Sequence, residues 1–413
     1  MVKKIKLFTS YNKRELSAAT NVIKSGKLSS FVAHKNGFYG GRFVQKFEKK
    51  LSNYFGAKYA VTFNSWTSGL IAAVGAIDIE PGDEILVPTW TMCATATAII
   101  HFNAIPVFVD INLDDYNICI TELKKKITKK TKAIIAVDIF GLPANLKKIK
   151  QICNKFNLKL INDSAQSPTS KIDGNYVGSE SDIGGFSLNY HKHIHTGEGG
   201  VCLTNKKKFY DKLCLIRNHG EILMKSSKKR NLSNIIGYNF RLGEIESAIG
   251  IEQLKKLKKI VKFRADHTKT IISELKKLKG LILPNFKKKK EPSHYTMPLR
   301  ISDAIIKKVG RKKLVKKLQS NGVYCISQGY MNLHLMSMYK YKIAYGSKGF
   351  PWNIFDKDKN INYSKGICPN AEKLHFYSYL AFSPFYYEMN KREIKFLLNG
   401  FVKTWQQLKL NDL

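Results

Sequence analysis

The segment 185–200 holds the side chains best suited to chemistry. It reads GFSLNYHKHIHTGEGG, so a single lysine, Lys192, stands among histidines and aromatic residues and is followed by a group of glycines. Burial and nearby positive charge both disfavour the ammonium form of a lysine. A lysine that is neutral for part of the time can form a Schiff base with a carbonyl compound. Lys192 is therefore the first candidate catalytic residue, although any lysine of this lysine-rich chain has a solvated surface position as its alternative.

The histidines of the same segment raise a second possibility, a metal site. His191, His193 and His195 alternate along the chain, so a strand would place them on one face, and three imidazoles suit zinc. A carboxylate or a cysteine at the usual ligand spacing is missing from the neighbouring sequence. The sequence therefore favours lysine chemistry over metal binding, and no metal is expected.

Two other segments place polar residues where predicted strands end. In 158–166, LKLINDSAQ, Asp163 follows an apolar strand, and parallel sheets bind ligands at the carboxyl ends of their strands. A carboxylate there could hold a protonated pyridine nitrogen or a metal, or could cap the next turn. In 63–70, FNSWTSGL, hydroxyls and backbone N–H groups open a helix and could bind an anion. The alternative for this segment is plain N-capping by Ser65 or Thr67.

The elements that would position these residues alternate between about residues 45 and 205. Short apolar strands separated by helices predict βαβ units and a mostly parallel sheet. The predicted strands are Tyr59–Phe63, Glu84–Val87, Pro106–Asp110, Ala133–Val137 and Leu158–Asn162. The predicted helices are Phe43–Tyr54, Ser68–Ile77, Thr95–Phe102, a helix capped by Thr121, and Leu146–Phe156.

The pattern changes after about residue 255. Leu254–Leu278 predicts one or two long helices rich in lysine, and Tyr295–Ser302 and Gly322–Ser327 predict strands of a smaller α/β unit. Helical spacing of apolar residues resumes after Asn390. We therefore expect a large α/β domain at 1–260, which includes an N-terminal segment packed on the fold, and a smaller C-terminal α/β domain at 261–413.

The composition excludes several classes of protein. The 413 residues include 44% hydrophobic residues, enough for a large core, which excludes a disordered tail, a disulfide mini-domain and a collagen-like fibre. The 70 basic and 31 acidic residues give a formal charge of +39. Nine of the basic residues are arginines, and the lysines are scattered in short runs such as Lys124–Lys126 and Lys287–Lys290. This pattern predicts no specific nucleic-acid partner, but it would attract an anionic small substrate.

Cysteine usage and hydropathy bear on the compartment. The chain has seven cysteines and no C-x-x-C pair, which disfavours a disulfide framework and fits the reducing cytoplasm. The first residues, MVKKIKLFTS, are basic but lack the apolar stretch of a signal peptide, and no apolar run is long enough to span a bilayer. We therefore expect a cytoplasmic protein without a membrane partner.

Six motifs follow one another along the chain in a fixed order. They are Ser65–Leu70, Pro88–Thr95, Asp163–Gln166, Ser187–Gly200, Arg217–Gly220 and Gly237–Arg241. Their residue types and spacings resemble those of the DegT/DnrJ/StrS family of sugar aminotransferases, and the resemblance runs from about residue 25 to near the end. It implies the aspartate-aminotransferase fold (type I), with a mostly parallel seven-stranded sheet flanked by helices, and pyridoxal 5′-phosphate as cofactor.

The resemblance also implies a role for each matching residue. Lys192 would bind the cofactor covalently and later move a proton. The remaining cofactor contacts would be Asp163 to the pyridinium N–H, Gln166 to the phenolic oxygen, Ser187, Thr67 and the backbone N–H of Trp66 to the phosphate, Met92 at the ring, and Asn239 to the phosphate of the neighbouring subunit's cofactor. The functional unit would then be a homodimer with shared sites, and the alternative for Asn239 is a helix cap.

This chain departs from the family pattern at several positions. The family usually has glycine where Trp66 stands and a ring-stacking aromatic residue where Met92 stands, so either Met92 or the nearby Trp90 would cover the cofactor ring. Positions 193 and 195 often hold Thr or Asn in the family and hold histidine here. Some relatives replace the lysine itself with histidine and are sugar dehydratases, so the presence of Lys192 favours a transaminase.

The implied activity is transfer of an amino group, from L-glutamate, to a keto group of a nucleotide-linked sugar, for surface-polysaccharide or related amino-sugar biosynthesis. A pyridoxal-phosphate-dependent sugar dehydratase remains open because of His191 beside the lysine. A transaminase of a small phosphorylated ketone also remains open. From another class, a non-catalytic regulatory or polyanion-binding protein on the same fold is the alternative.

Overall fold

The computed structural model describes residues 6–32, 35–220, 236–285, 290–356 and 360–413. The strands are β1 (Tyr59–Phe63), β2 (Glu84–Pro88), β3 (Ile105–Val109), β4 (Thr131–Val137), β5 (Lys159–Asp163), β6 (Lys171–Ile172), β7 (Asn175–Tyr176), β8 (Ile183–Ser187), β9 (Gly200–Thr204), β10 (Leu281–Ile282), β11 (Lys290–Glu291), β12 (Met297–Ile301), β13 (Ile326–Gln328) and β14 (Tyr379–Phe382). Apart from Lys290, the lysine run at 287–290 lies outside the described residues.

The helices fall between these strands and at both ends of the described chain. They are α1 (Lys13–Lys24), α2 (Arg42–Phe55), α3 (Trp66–Ala76), α4 (Cys93–Ile100), α5 (Ile120–Lys125), α6 (Leu146–Phe156), α7 (Lys207–Arg217), α8 (Glu244–Leu275), α9 (Asp303–Lys308), α10 (Arg311–Ser320), α11 (Ser337–Lys340), α12 (Trp352–Phe355), α13 (Pro369–Lys373) and α14 (Lys391–Gln407). Within the described parts of the chain, none of these helices is long and apolar enough to cross a membrane.

A seven-stranded sheet forms the centre of the molecule, in the order β1-β9-β8-β5-β4-β2-β3. Strand β9 runs antiparallel to both of its neighbours, and the other neighbouring pairs are parallel. The strands are buried on both faces because helices cover each side. In β4, for example, Ile135 belongs to the core under α3 and α4, whereas Ile134 and Ala136 belong to the core under α5 and α6. The predicted fold class, a mostly parallel seven-stranded sheet flanked by helices, is confirmed.

The predicted elements of this sheet match the observed ones within about two residues, and Tyr59–Phe63 and Leu146–Phe156 match at both ends. Strands β8 and β9 were not predicted, because the glycines of 183–187 and 200 lower strand propensity. The predicted cap at Thr121 is wrong. The N-cap position of α5 is Cys119, which makes no side-chain cap bond, and Thr121 lies within the helix.

A smaller antiparallel sheet, in the order β10-β12-β14-β13, packs with α10, α14 and the end of α8 around a second core. The N-cap residue of α14 is Asn390, whose side chain accepts from the backbone N–H of Glu393 in a capping box. The domain division at residue 260 stays a prediction. Helix α8 is one helix and runs unbroken through that position, and residues of the C-terminal part such as Trp352 and Tyr363 pack into the core of the large sheet.

The N-terminal segment packs on the fold as expected, through α1 against α8. The side chain of Glu15 is buried, accepts a hydrogen bond from Gln253 Nε2 at 2.8 Å and pairs with Lys256. Just before α1, the Tyr11 hydroxyl donates to the carbonyl oxygen of His195 at 3.0 Å. The N-terminal segment therefore holds the chain on the carboxyl side of Lys192 in place.

Candidate active site

A cavity of about 530 Å³ lies at the carboxyl ends of β1, β5 and β8. It is closed on the other side by residues that come from the C-terminal part of the chain. Seven of the eight residues predicted to form the site line it: Trp66, Thr67, Met92, Asp163, Gln166, Ser187 and Lys192. The structure therefore brings residues of four of the six motifs into one site at the carboxyl edge of the sheet.

Asp163 ends β5 and is buried beneath the cavity. Three donors reach its carboxylate. Trp66 Nε1 donates to Oδ1 at 2.7 Å, the backbone N–H of Ala165 donates to the same oxygen at 3.1 Å, and Thr95 Oγ1 donates to Oδ2 at 2.7 Å. The bond from Ala165 is the turn cap that the sequence left as an alternative. Asp163 caps the turn and lines the cavity at the same time, so the two roles do not exclude each other.

The carboxylate of Asp163 retains capacity to bind one more donor. An ionised carboxylate has about four acceptor positions, and the described residues use three of them. Burial raises the pKa of Asp163, and the hydrogen bonds from Thr95, Trp66 and Ala165 lower it in turn. A cationic N–H donor in the cavity would complete this arrangement and would stabilise the ionised form.

Lys192 lies in a turn after β8, where it is half-buried and lines the cavity. Its Nζ donates to the Tyr295 hydroxyl at 3.4 Å and stands 4.6 Å from the centroid of the Tyr295 ring. The Tyr386 hydroxyl in turn donates to that of Tyr295 at 2.9 Å. Burial lowers the pKa of Lys192 from 10.5 to about 8, although the Asp163 carboxylate acts in the opposite direction. The predicted desolvation of this lysine is confirmed.

The neighbouring histidines do not add the positive charge that the sequence suggested. Burial lowers the pKa of His191 and of His195 to about 4, and it lowers the pKa of His193 well below its usual value. These imidazoles are therefore neutral near pH 7, and burial alone accounts for the lowered pKa of Lys192.

The three histidines also fail to form the common face that a metal would need, because residues 188–199 form turns instead of a strand. His193 Nε2 lies 2.7 Å from the carbonyl oxygen of Ser293, while the ring of His195 packs against Tyr11 and that of His191 packs near Tyr386. Among the residues that the structure describes, no group of three histidine, cysteine, aspartate or glutamate side chains could hold a metal ion.

The start of α3 forms the second wall of the cavity. Ser65 is the N-cap residue, and its Oγ accepts from the backbone N–H of Ser68 at 3.0 Å. The N–H groups of Trp66 and Thr67 have no partner within the helix, as in the first turn of any helix. Thr67 and Ser187 add hydroxyls to the same cavity. Ser65 therefore caps the helix, which was the alternative interpretation of this segment. The helix start nevertheless offers an anion site to the cavity.

The glycine at the start of β9 explains how this anion site is assembled. A Cβ on Gly200 would lie 2.5 Å from the carbonyl group of Ser65 and from the nitrogen of Trp66. Only glycine lets β9 approach the start of α3 this closely. At this position the glycine cluster after Lys192 therefore allows β9 to pack against α3. The sequence had suggested instead that these glycines let the backbone approach a ligand.

Gln166 is held by the backbone and by an aromatic hydroxyl. Its Oε1 accepts from the N–H of Phe140 at 2.7 Å, and its Nε2 donates to the Tyr330 hydroxyl at 3.4 Å. Phe140 has φ of +59°, a left-handed conformation that is costly for a bulky residue. The strained turn directs a main-chain donor at Gln166 and leaves one amide hydrogen of that side chain available to a ligand.

The sequence left open whether Trp90 or Met92 covers the ligand. Met92 lines the cavity and is 53% exposed, whereas Trp90 is fully buried behind Tyr330 and Tyr379. The geometry therefore places the sulfur-containing side chain at the cavity wall and Trp90 in the core behind it.

Asn239 is the predicted residue that does not line the cavity. It is exposed, and its Oδ1 accepts from Nε of Arg241 at 2.8 Å. The N-cap residue of α8 is Gly243, so the alternative in which Asn239 caps this helix is wrong. The prediction that Asn239 reaches a neighbouring subunit is not tested by a single chain.

Sequence reasoning missed four residues of the site: Thr95, Tyr295, Tyr330 and Tyr386. Thr95 ends the motif Pro88–Thr95 but was given no role, and the three tyrosines come from the C-terminal part of the chain, more than 100 residues after Lys192. A tyrosine has no spacing signal of its own, since buried aromatic residues are common in cores. Their position around Lys192 follows from the packing of the small sheet against the large one.

The arrangement suits one kind of ligand particularly well. A buried carboxylate with a free acceptor position fits a protonated ring nitrogen, a helix start with two hydroxyls fits a phosphate, and a partly neutral lysine fits an aldehyde. Pyridoxal 5′-phosphate carries all three groups on one ring, so the residues present fit this cofactor.

Comparison with known proteins agrees with the geometry. A sequence model described as the DegT/DnrJ/EryC1/StrS aminotransferase family matches residues 21–353. The uncharacterized protein MJ1066 of Methanocaldococcus jannaschii is 33% identical over 335 residues, which are 79% of this chain and 81% of that protein. GDP-perosamine synthase of Vibrio cholerae is 33% identical over 235 residues, which are 57% of this chain and 63% of that enzyme.

A solved structure extends the likeness over the whole chain. The PLP form of the putative sugar aminotransferase Spr1654 from Streptococcus pneumoniae superposes with a TM-score of 0.80 and covers 99% of this chain and 100% of that chain. The two sequences are 20% identical, so this likeness establishes the fold.

Proposed function

This chain belongs to the DegT/DnrJ/EryC1/StrS aminotransferase family, and from that premise we propose that it transfers an amino group from L-glutamate to a keto group of a nucleotide-linked sugar. It is a sugar aminotransferase, and its cofactor is pyridoxal 5′-phosphate. The observation that carries the proposal is the cavity in which Lys192, Asp163 and the start of α3 converge.

Each of the cavity residues has a separate role towards the cofactor. Bound pyridoxal 5′-phosphate supplies an aldehyde that condenses with amines and a protonated ring that withdraws electrons from the reacting carbon. Lys192 Nζ would attach the cofactor and would carry a proton during transfer. Asp163 would hold the proton on the ring nitrogen. Thr67, Ser187 and the N–H of Trp66 would bind the phosphate.

The predicted contact of Gln166 with the phenolic oxygen is part of the same proposal, and its free amide hydrogen supports it. Met92 would lie against the cofactor ring, because it stands at the cavity wall. A thioether makes favourable contacts with aromatic rings.

A nucleotide-linked sugar is the proposed acceptor for two reasons. The similar Vibrio cholerae protein is a GDP-perosamine synthase, and a chain with a formal charge of +39 attracts a diphosphate-bearing substrate. Lys192 supports transamination over dehydration, because a partly neutral amine within the cavity can bind an aldehyde covalently. Polysaccharide biosynthesis as the destination of the product belongs to the same proposal.

The first experiment tests whether Lys192 holds the cofactor. Purified protein loaded with pyridoxal 5′-phosphate should show a visible absorbance band that borohydride abolishes, with the added mass on the peptide that contains Lys192. Lys192→Ala should lose the covalent adduct and turnover but keep the fold. Lys171→Ala is the matched control, since Lys171 Nζ also stands over a tyrosine ring, 4.8 Å from the centroid of Tyr176, but outside the cavity. A wild-type adduct on another lysine would contradict the proposal.

The second experiment identifies the acceptor. The loaded enzyme, L-glutamate and a panel of keto-sugar nucleotides and phosphorylated ketones are incubated and analysed by mass spectrometry. An aminated sugar nucleotide together with 2-oxoglutarate supports the proposal. Amination of only the phosphorylated ketones, or loss of water without amination, would support the other activities that the sequence left open.

We also propose that the functional unit is a homodimer in which Asn239 reaches the cofactor phosphate of the other subunit. Its exposed position outside the cavity of its own chain is compatible with such a role. Inactive Lys192→Ala and Asn239→Ala proteins would be mixed, dissociated and reassociated. Each mixed dimer then has one site with Lys192 and the partner subunit's Asn239 intact, so activity should return towards half of the wild-type value per mixed dimer. Sedimentation of the active enzyme as a monomer would contradict a shared site.

The cytoplasmic location and the lack of nucleic-acid and membrane partners stay predictions from the sequence. The cysteine pattern supports the first, and the scattered lysines with few arginines support the second.

A further inference from the structure

The side chain of Trp66 occupies an unusual place for the first residue of α3. Trp66 is 5% exposed, and its indole lies between α3 and the sheet, within the core of the large sheet. Its Nε1 is 2.7 Å from Asp163 Oδ1, and this hydrogen bond is buried. Trp66 is also the first residue of α3 and lines the cavity, so one residue belongs both to the helix start and to the contacts of Asp163.

Two glycines make the space that the indole fills. A Cβ on Gly69, one turn along α3, would lie 2.9 Å from Cε3 of Trp66. A Cβ on Gly185 of β8 would lie 2.3 Å and 2.5 Å from Cζ3 and Cη2, and 2.0 Å from the carbonyl oxygen of Val201. Any side chain at Gly69 would therefore push the indole from its place, whereas Gly185 is also needed for the pairing of β8 with β9.

The indole N–H is one of three hydrogen-bond donors that determine the protonation state of the buried Asp163 carboxylate. A carboxylate without donors in an apolar site tends to take up a proton, and donors to the charged form oppose this. The Trp66 and Ala165 bonds occupy Oδ1 and the Thr95 bond occupies one position on Oδ2. The free acceptor position is therefore on Oδ2, the oxygen that the indole does not touch.

We propose that Trp66 is a positioning residue whose indole N–H fixes the Asp163 carboxylate in its orientation and in its ionised form, so that Oδ2 can hold the proton on the cofactor's ring nitrogen. The proposal rests on the proposed function, because it needs pyridoxal 5′-phosphate in the cavity. Trp66 acts through Asp163 and does not itself need to touch the ring nitrogen.

The proposal predicts where the ring proton goes when the donor is removed. Trp66→Phe keeps an aromatic ring and loses the N–H. A hydrogen bond to a charged group changes the ratio of ionised to protonated carboxyl by about tenfold or more. Without it, Asp163 would more readily take the proton from the ring nitrogen. The protein is loaded with cofactor that carries ¹⁵N in the ring, and the ¹⁵N resonance is measured by NMR at one pH near neutrality.

The expected result is a wild-type resonance at the position of a protonated pyridine and a Trp66→Phe resonance moved towards that of an unprotonated one. Trp405→Phe is the matched control, because Trp405 is buried in the core of the small sheet and its Nε1 donates to the carbonyl oxygen of Lys279 at 2.9 Å. This variant also loses an indole hydrogen bond, but one to a neutral acceptor outside the cavity, so its resonance should stay at the wild-type position. Gly69→Ala displaces the indole without altering residue 66, so it should move the resonance in the same direction as Trp66→Phe. It replaces Trp66→Phe in the experiment if Trp66→Phe does not fold.

The possible outcomes separate this proposal from the proposed function. If borohydride leaves no adduct on Lys192 of the wild-type protein, the proposed function fails. If the adduct forms and Trp66→Phe and Gly69→Ala both keep the wild-type resonance, the role of Trp66 is overturned. If Trp405→Phe moves the resonance as far as Trp66→Phe does, the shift reports lost stability, and the proposal is overturned as well.

Discussion

The lowered pKa of Lys192 predicts how fast the cofactor-free enzyme takes up pyridoxal 5′-phosphate at each pH. Burial lowers this pKa from 10.5 to about 8, and only the neutral amine can attack an aldehyde. The rate of attachment should therefore rise with pH up to about pH 8 and then become level. A solvated lysine would give a rate that rises tenfold per pH unit until about pH 10.

The size of the effect follows from the two pKa values. At pH 7 an amine with a pKa of about 8 is about 10% neutral, whereas an ordinary lysine is about 0.03% neutral, a difference of roughly 300-fold. Asp163 opposes burial, because its negative charge stabilises the ammonium form. Asp163→Asn removes this charge, so the pKa of Lys192 should fall below 8 and the level region should begin at a lower pH.

Stopped-flow absorbance of cofactor uptake over a series of pH values measures this profile. The rates are divided at each pH by those of the same cofactor with a free primary amine of known pKa, which removes the titrations of the cofactor itself. A profile that keeps rising to about pH 10 would refute the desolvation of Lys192. A level region that begins at a higher pH in Asp163→Asn would refute the assigned role of the carboxylate.

Three further predictions concern the site, the core and the surface. Asp163→Asn should lower kcat far more than it weakens cofactor retention, because an amide cannot hold the ring proton as a carboxylate does. Turnover near the wild-type rate would mean that Asp163 only caps the turn and has no role at the cofactor ring. Glu48→Gln should lower the free energy of unfolding in urea by about 3–5 kcal/mol, since it leaves the buried Arg217 without its charged partner. Asp211→Asn, in the exposed pair with Lys207, should lower it by less than about 1 kcal/mol. Any retention of DNA at low salt should vanish by about 150 mM, and sequence-dependent binding at that salt would contradict the interpretation of the charge.

The large sheet could be predicted from the sequence because its strands are continuous apolar runs between helices of regular spacing. Strand β4 is the clearest case, since its residues from Ala133 to Val137 are buried on both faces. Strands β8 and β9 could not be predicted in the same way. Their glycines are present for close approach to α3 and to Trp66, and this requirement comes from distant parts of the chain.

The residues of the candidate site also differ in whether local sequence could predict them. Asp163 and the start of α3 could be predicted because strand ends and helix starts leave a local signal in the sequence. Lys192 could be predicted because it stands among histidines and aromatic residues before a group of glycines. Tyr295, Tyr330 and Tyr386 could not, since they reach the cavity only when the small sheet packs on the large one. The charge state of the histidines also depended on burial, which local sequence does not determine.

Trp66 shows why a departure from a family pattern is best judged with its neighbours. The sequence alone presents the tryptophan at 66 as an isolated change from glycine, but the structure joins it to Gly69, Gly185 and Asp163 in one contact group. Trp66→Gly would restore the usual residue and would leave the space of an indole empty beneath the site. Loss of a large buried aromatic side chain costs about 3–5 kcal/mol, so we expect this variant to be less stable in urea than Trp66→Phe and to retain less cofactor. If Trp66→Gly matched the wild-type protein in both measurements, the indole would be only a tolerated change, and Asp163 would not depend on it.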